Sequence, residues 1–478
     1  MFPRVSLLDD AGKQGIHERS LQVMERTGVR FASPKALAVL RDAGCQVDDD
    51  TQIARIPRRL VEEAIASAPK TMLLAGRDPG RDVLLDHTRT HATLDGIGAY
   101  TLDYTTGERR LSKADDLAQA VRVGDALDEV GVAWYIVNPT DEKPKLEILR
   151  GVETMLSNTG KHVQAEVLHP DEVPFVMAML AAASDDGRWD RERPTFSIVY
   201  CPVAPLQHER DSLEAAMLLA KERVPITVFS LALAGATAPV TVAGTIVQTN
   251  CDVLSAFVLL QLVEPGCPLI YVGDSAIMDM RSATYATAGP EAVLINLGLS
   301  EMGKHYGFPV LTTGFTSDAK ELCVQSGLDG GLMAALAHLS GVDLVTGMGM
   351  LDSAQMLYLP KLILDAEVMR ECQRLMRGVD FDDAHFLTDL IDEVGPGGHY
   401  LKARVTTQML RAGEHWAPTI FTRNSYEAWA AAPASEYDRA VAILENILST
   451  HRPKALPVGA ESAISEIIAA ADRELPER

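Results

Sequence analysis

The chain has 478 residues, 47% of them hydrophobic and 23% charged. This is an ordinary globular composition that fits two or three domains, or one barrel with added helices. A net charge of -22 excludes a phosphate-gripping nucleic-acid surface and is compatible with a cationic substrate or a basic partner. Cysteines at 45, 201, 251, 267, 323 and 372 show no C-x-x-C spacing, so no zinc ribbon or disulfide framework is expected, and a cytoplasmic setting follows. No apolar signal core stands near the start. The long apolar run Val240 to Val263 carries Gln248, Asn250, Asp252 and Gln261, too polar for a membrane span, and reads as a buried helix.

In chain order, the first ninety or so residues form a helical preface. Ile16 to Thr27 carries a helix-compatible apolar stripe. Ser33-Pro34 caps a second helix that stops at Gly44, and Pro57 starts a third. Met72 to Ala75 and Val83 to Leu85 flank Asp78-Pro79-Gly80 as a hairpin. From Thr93 strands and helices alternate. The predicted strands are Thr93 to Tyr100, Val132 to Val137, His162 to Leu168, Thr195 to Cys201, Pro225 to Ser230, Pro268 to Gly273, Pro309 to Thr313 and Asp343 to Gly347. A helix follows each of the first seven. The first of these helices opens on the capping-box pattern Ser112 to Asp115. After Leu357 the chain turns helical again.

Eight near-continuous apolar strands alternating with helices predict an α/β fold, a closed (β/α)8 TIM barrel, with an open doubly wound sheet as the alternative. The expected organisation is a preface over 1–92, the barrel over 93–355 and a C-terminal helical cap over 356–478, with no flexible linker between them.

Chemistry in such folds sits where strands end in loops. The polar candidates there are Asp95, Asn138, Glu166, Tyr200, Asp274 and Asp318, with Lys320 and Gln325 just beyond. The strand end from Pro309 to Gly327 is the most polar in the chain. Aromatics are few, and Tyr100, Trp134, Tyr135, Tyr200 and Tyr271 lie on or beside predicted strands. Such rings could cage a quaternary ammonium or simply fill the core. His87 and His91 read as surface histidines without a third ligand, so no metal site is expected. Gly347-Met348-Gly349 and Gly96-Ile97-Gly98 lack the context of a dinucleotide loop, and no P-loop, G-x-S-x-G or H-E-x-x-H is present.

Four stretches together resemble the trimethylamine methyltransferase superfamily: Tyr100 to Leu117, Thr316 to Gly327, Gly395 to Leu401 and Trp416 to Trp429. The resemblance implies a (β/α)8 barrel that moves a methyl group from an N-methylated amine to the cobalt of a corrinoid on a separate protein. Trimethylamine-using members carry pyrrolysine. This chain has only standard residues, so it resembles the branch acting on quaternary amines such as glycine betaine. Leu322 and Cys323 stand where the family often has Pro and Asp, and Val405 precedes Thr406 where a second histidine is usual. Asp383-Ala384-His385 begins like a cobalt-binding motif, but Thr388 replaces its glycine, so the corrinoid is expected on the partner and no cofactor on this chain.

The reading that follows is a methyltransferase for a methylated amine of the betaine kind, with a cognate corrinoid protein as partner. No nucleic acid or membrane is expected to bind, and a homodimer is open. Asp318, Glu166 and Lys320 are the catalytic candidates. Tyr100, Tyr200, Tyr271, Asp274, Gln325 and His399 are the substrate-binding ones. The alternatives are a non-catalytic amine-binding barrel and a metal-dependent lyase on the same fold.

Overall fold

The computed structural model describes residues 3–96 and 98–477; Ile97, inside the first predicted strand, lies outside them. Eight parallel strands close into a barrel, each beside its sequence neighbour, with the last returning to the first. They are β1 His91–Leu94, β2 Val130–Trp134, β3 His162–Glu166, β4 Phe196–Tyr200, β5 Ile226–Val228, β6 Leu269–Gly273, β7 Val310–Thr313 and β8 Leu344–Met348. The eight helices that follow are α1 Ala114–Ala126, α2 Glu147–Asn158, α3 Val173–Ala182, α4 Arg210–Lys221, α5 Val242–Val263, α6 Pro290–His305, α7 Val324–Ser340 and α8 Leu359–Arg377. The expected TIM barrel is therefore the fold. Its first strand begins two residues earlier than the apolar pattern suggested and is shorter.

Because side chains alternate across each strand, one parity faces the lumen and the other the helices. The lumen is layered. At the bottom, Val132, Ile270, Val272, Leu311 and Leu344 pack against Met72, Leu74, Val83 and Leu85. The last four come from the antiparallel hairpin Met72–Leu74/Val83–Leu85, which plugs the N-terminal end of the barrel. A polar waist lies above. Ser197 and Thr227 donate to Gln164 at 3.2 and 3.1 Å, and His162 meets Ser197 at 2.9 Å. The waist is tied down at its base, where His162 Nδ1 lies 3.1 Å from the Ala75 carbonyl. An acidic top layer lies above the waist, with Asp95, Glu166 and Asp274.

Helix α5 is the one helix among the described residues long and apolar enough to cross a membrane, and it is core. Its polar residues are all spent inside. Asn250 receives the Tyr271 hydroxyl at 2.9 Å and donates to Ser20 and Tyr306. Asp252 accepts from Leu206 N and Ser230 Oγ.

The preface is less helical than expected. Between its three helices it forms three short antiparallel strands, Val29–Phe31, Gln46–Asp48 and Ile53–Arg55, and Gln207–His208 joins their edge. Three-residue strands are too short to leave a period in the sequence. At the other end, α8 lies in the stretch read as cap and completes the barrel. The helix Glu436–Thr450 packs on α8 and α1, and Ala460–Glu474 packs on α3, so both cover the barrel's side.

The plug makes a checkable difference between two faces of one hairpin. Replacing buried Leu74 by Ala should cost about 2–5 kcal/mol, because the lumen cannot collapse onto the space. Replacing Leu84, which is 47% exposed, should cost under about 0.5 kcal/mol. Urea unfolding of the two variants measures both.

Candidate functional site

At the C-terminal end of the barrel the lumen parity brings three carboxyl groups together: Asp95 after β1, Glu166 at the end of β3 and Asp274 after β6. All three are buried. Asp95 accepts from Gly96 N at 2.9 Å and Thr346 Oγ1 at 3.2 Å. Glu166 accepts one hydrogen bond through Oε1, from the Trp134 indole N–H at 3.2 Å. Its buried Oε2 has no partner among the described residues. Asp274 likewise accepts none from them.

Burial dominates the electrostatics, and the acids aggravate it by repelling one another. Asp95 is pushed up to about 6 by desolvation against the hydrogen bonds that hold it down. Glu166 is pushed up to about 7 by burial, with the Asp95 charge adding to it. Asp274 is raised well above the carboxylate range by burial and by Asp95. Lys361 is the cation felt by Asp95, but its ammonium is spent on Asp365 at 2.7 and 2.9 Å and on the Phe315 carbonyl.

Aromatic rings lie on the side of Glu166. Trp134 meets Phe229 edge-on with centroids 5.8 Å apart. The indole lies so close to the chain after β1 that a Cβ on Gly96 would fall 2.6 Å from the ring; any other residue there would displace it. Tyr285 comes near enough to feel the same acids. Its hydroxyl is raised by burial and by the charges of Asp274, Asp95 and Asp318. It sits on the hairpin Ala276–Asp279/Thr284–Ala286, part of a small sheet with Leu233–Ala234 at the mouth.

Asp318 holds that hairpin down. It accepts from Thr287 N and Oγ1, each at 2.8 Å, from Ala288 N at 3.2 Å, and from Ser353 Oγ at 2.7 Å. Ser353 also donates to the Tyr285 carbonyl. Both Asp318 oxygens are thus engaged, Oδ1 by Thr287 and Ser353 and Oδ2 by Ala288. Lys320 is 67% exposed at the rim and pairs with Asp352 at 2.9 Å.

The other candidates fall elsewhere. Tyr200 and Tyr271 have the wrong parity for the lumen and face the helices. The Tyr200 hydroxyl meets His208 Nδ1 at 2.7 Å, and Tyr271 stacks among Phe257, Tyr306 and Phe308. Tyr100 has the Arg109 guanidinium 3.4 Å above its ring, so that face is taken. Gln325 is exposed on the first turn of α7. His399 is exposed in the segment that leaves the far end of α8. His385 is bound to Asp382 at 2.6 Å on a short exposed helix with no buried residue. His87 and His91 do not converge: His87 bonds Asp343 and the Lys70 carbonyl, while half-buried His91 is pushed down to about 4 by desolvation.

Sequence comparison decides the class. The trimethylamine methyltransferase (MTTB) family matches residues 1–476. The chain belongs to the trimethylamine methyltransferase family. It is 32% identical over 456 residues to a trimethylamine methyltransferase MttB of Desulfitobacterium hafniense strain DCB-2, covering 94% of this chain and 92% of that protein. It is 26% identical over 479 residues to a glycine betaine methyltransferase of Desulfitobacterium hafniense strain Y51, covering 100% and 99%. Among solved structures, a hydroxylamine complex of MtmB aligns over 99% of this chain and 95% of that one, with a TM-score of 0.50 and 12% identity, a likeness of fold. The chain is thus a methyltransferase of this family, and its (β/α)8 mouth is where its reaction is to be sought.

Phe229 and Tyr285 were not singled out by sequence reasoning, and Trp134 was singled out only as one ring among several. For Phe229 the parity of Thr227 was a usable signal. Tyr285 sits in a loop hairpin and left none.

The latch is testable. Asp318→Ala should free the hairpin, so that trypsin cuts after exposed Arg281 at least about tenfold faster. Because Tyr285 then loses its place, KM for the methyl donor should rise more than kcat falls. Unchanged cleavage would mean that Asp318 does not hold the hairpin.

Proposed function

We propose that this methyltransferase takes a methyl group from a quaternary, or tertiary, methylated ammonium compound of the betaine kind and passes it to the Co(I) of a corrinoid on a separate protein. The observation that carries this is the set of three buried carboxyl groups under an aromatic roof, with the nearby lysine already spent. Such a site is costly when empty and charged, and an organic cation offsets the cost. Methylated ammonium fits both parts, the carboxylates by charge and the Trp134, Phe229 and Tyr285 rings by cation–π attraction. The carboxylate of a betaine would reach Lys320 at the rim by exchanging that lysine's pairing with Asp352.

The corrinoid supplies the nucleophile when its protein docks. This chain's residues then act by placement and charge. Trp134 and Phe229 hold the ammonium, and Tyr285 shields it from water. The C–N bond breaks with its electron pair staying on nitrogen, so a quaternary ammonium leaves as a neutral tertiary amine. The acids now lack their counter-charge. The neutral amine, no longer held by charge, leaves first, and Glu166, poised near neutrality, then takes a proton from the water that replaces it. Binding therefore releases protons and turnover recovers them. An exposed row on α7, Val324, Leu328 and Leu332, begins at the same mouth, and we assign it to the docking corrinoid protein.

Two outcomes follow. The affinity for a permanently charged quaternary ammonium should rise with pH between about 5.5 and 8, by up to about tenfold per pH unit while one carboxyl ionises. The sign is set by the raised carboxyl pKa values: below them the acids are neutral and do not attract the cation. Calorimetric titration across that range checks it, and Glu166→Gln should weaken binding and flatten the profile. Trp134→Leu should weaken binding more than about tenfold, the size of a desolvated cation–π contact. For the reaction, the protein is mixed with a reduced corrinoid protein, and glycine betaine, proline betaine, carnitine, choline and trimethylamine are added in turn. A shift of the visible cobalt spectrum with one compound supports the proposal, and no shift across the panel overturns its substrate class.

A further inference from the structure

Beyond α8 the chain makes an excursion that the barrel does not use. From Asp380 to Thr419 no residue is buried. The backbone is nonetheless helical in three places, Asp383–Phe386, Thr388–Val394 and Arg404–Arg411, and none of these helices has a buried residue. Large apolar side chains stand out from it: Phe381 at 62% exposure, Phe386 at 51%, Ile391 at 52%, Leu401 at 83% and Leu410 at 48%. A segment with this much apolar surface and no core of its own gains its stability from something laid against it.

The place of the segment says what that is not. It leaves from the C-terminal end of α8, and Arg377 there lines a cavity with Thr90 and Val342, the residues just before β1 and β8. This is the N-terminal end of the barrel. It is tied back by Arg374 and Arg377, which donate to the carbonyls of Glu414 and Gly413. A corrinoid protein serving this chain's own mouth works at the opposite end.

The charge pattern says what it is. The first half is acidic: Asp383, Asp389, Asp392 and Glu393 make no ion pair among the described residues. The second half is basic: Lys402, Arg404 and Arg411 make none either. Two halves of opposite sign, each uncompensated and each studded with apolar side chains, are self-complementary under a two-fold axis. The acidic half of one copy then meets the basic half of the other twice. We propose that the segment 380–419 is the interface of a homodimer, with a second copy of this chain as its occupant.

The test uses the full chain and light scattering after size exclusion across micromolar concentrations. Wild type should have twice the chain mass, with a dissociation constant that rises at least about tenfold in high salt. The variant Lys402→Glu/Arg404→Glu/Arg411→Glu should be monomeric, and so should Asp389→Lys/Asp392→Lys/Glu393→Lys. All six sites are exposed, so circular dichroism should be unchanged. Mixed together, the two variants should recover the dimer mass, because the swapped charges match again. A wild type that stays monomeric overturns the proposal. If those same variants then lose a corrinoid protein instead, the surface belongs to that partner. A dimer that neither variant disturbs places the interface elsewhere and also overturns it.

Discussion

Three carboxyl groups buried at the top of one barrel impose the constraint that the rest of this site answers. Taking a carboxylate out of water is expensive unless a cation accompanies it. Here the nearby lysine is tied to Asp365. The site therefore meets the cost by staying partly protonated, which is why Glu166 and Asp95 sit near 7 and 6. An acid whose pKa is higher in the fold than in the unfolded chain favours the fold most below its unfolded value. That support is withdrawn as pH rises through its folded value. The empty enzyme is thus less stable near neutrality than the same barrel with apolar residues in those places. On the proposed reading a bound organic cation recovers the difference, so stability given up by the empty site becomes affinity for one charge type.

The frame around this site was largely legible in the sequence. Parallel strands with helices on the outside are apolar throughout, and eight such runs with helices between them leave few other architectures. Position within a strand was harder to read. In an all-apolar strand the two parities look alike, so lying on a strand does not tell whether Tyr200 and Tyr271 face the lumen or the helices. The clue lay one residue away. Ser197 on β4 and Gln164 on β3 are the polar members of their strands, and polar side chains there mark the lumen parity. By that rule Tyr200 shares the outer side with Phe196 and Ile198, whereas Trp134 and Phe229 face in. The hydroxyl of each outer tyrosine then needs a partner among the helices, which His208 and Asn250 supply.

What sequence could not give was the roof. Tyr285 reaches the acids only because a hairpin of irregular composition folds over the mouth, and the restraint on that hairpin is distant in the chain. Asp318 and Ser353 meet there from the loops after β7 and β8. The second loop is strained: Asp352, Ser353 and Ala354 are consecutive residues with φ of 54°, 56° and 66°. Left-handed backbone costs a non-glycine residue about 1–2 kcal/mol. The loop persists because Asp352 N and Ser353 N bond back to Ala319 and Ser317, and because Asp352 is pinned by Lys320. Asp318 and Lys320 were picked out for their polarity and position, and both belong to the mouth. In this structure Asp318 bonds the end of the hairpin and Lys320 pairs with Asp352.

The plugged lower end of the barrel explains how the mouth can tolerate this arrangement. Strain and uncompensated charge at one end of a packed lumen would be relieved by water entering from the other. Leu74, Leu85 and their neighbours close that route, and the Gln164 waist above them has its oxygen satisfied by Ser197 and Thr227. The polar groups of the top layer are thereby confined to one opening. A ligand that enters there displaces what water the acids hold and meets rings on the remaining sides. On the proposed reading, selectivity for a methylated cation over a hydrated ammonium follows from this arrangement. Methyl groups cannot donate hydrogen bonds, so they lose little on leaving water, while a primary ammonium would leave several donors facing aromatic rings.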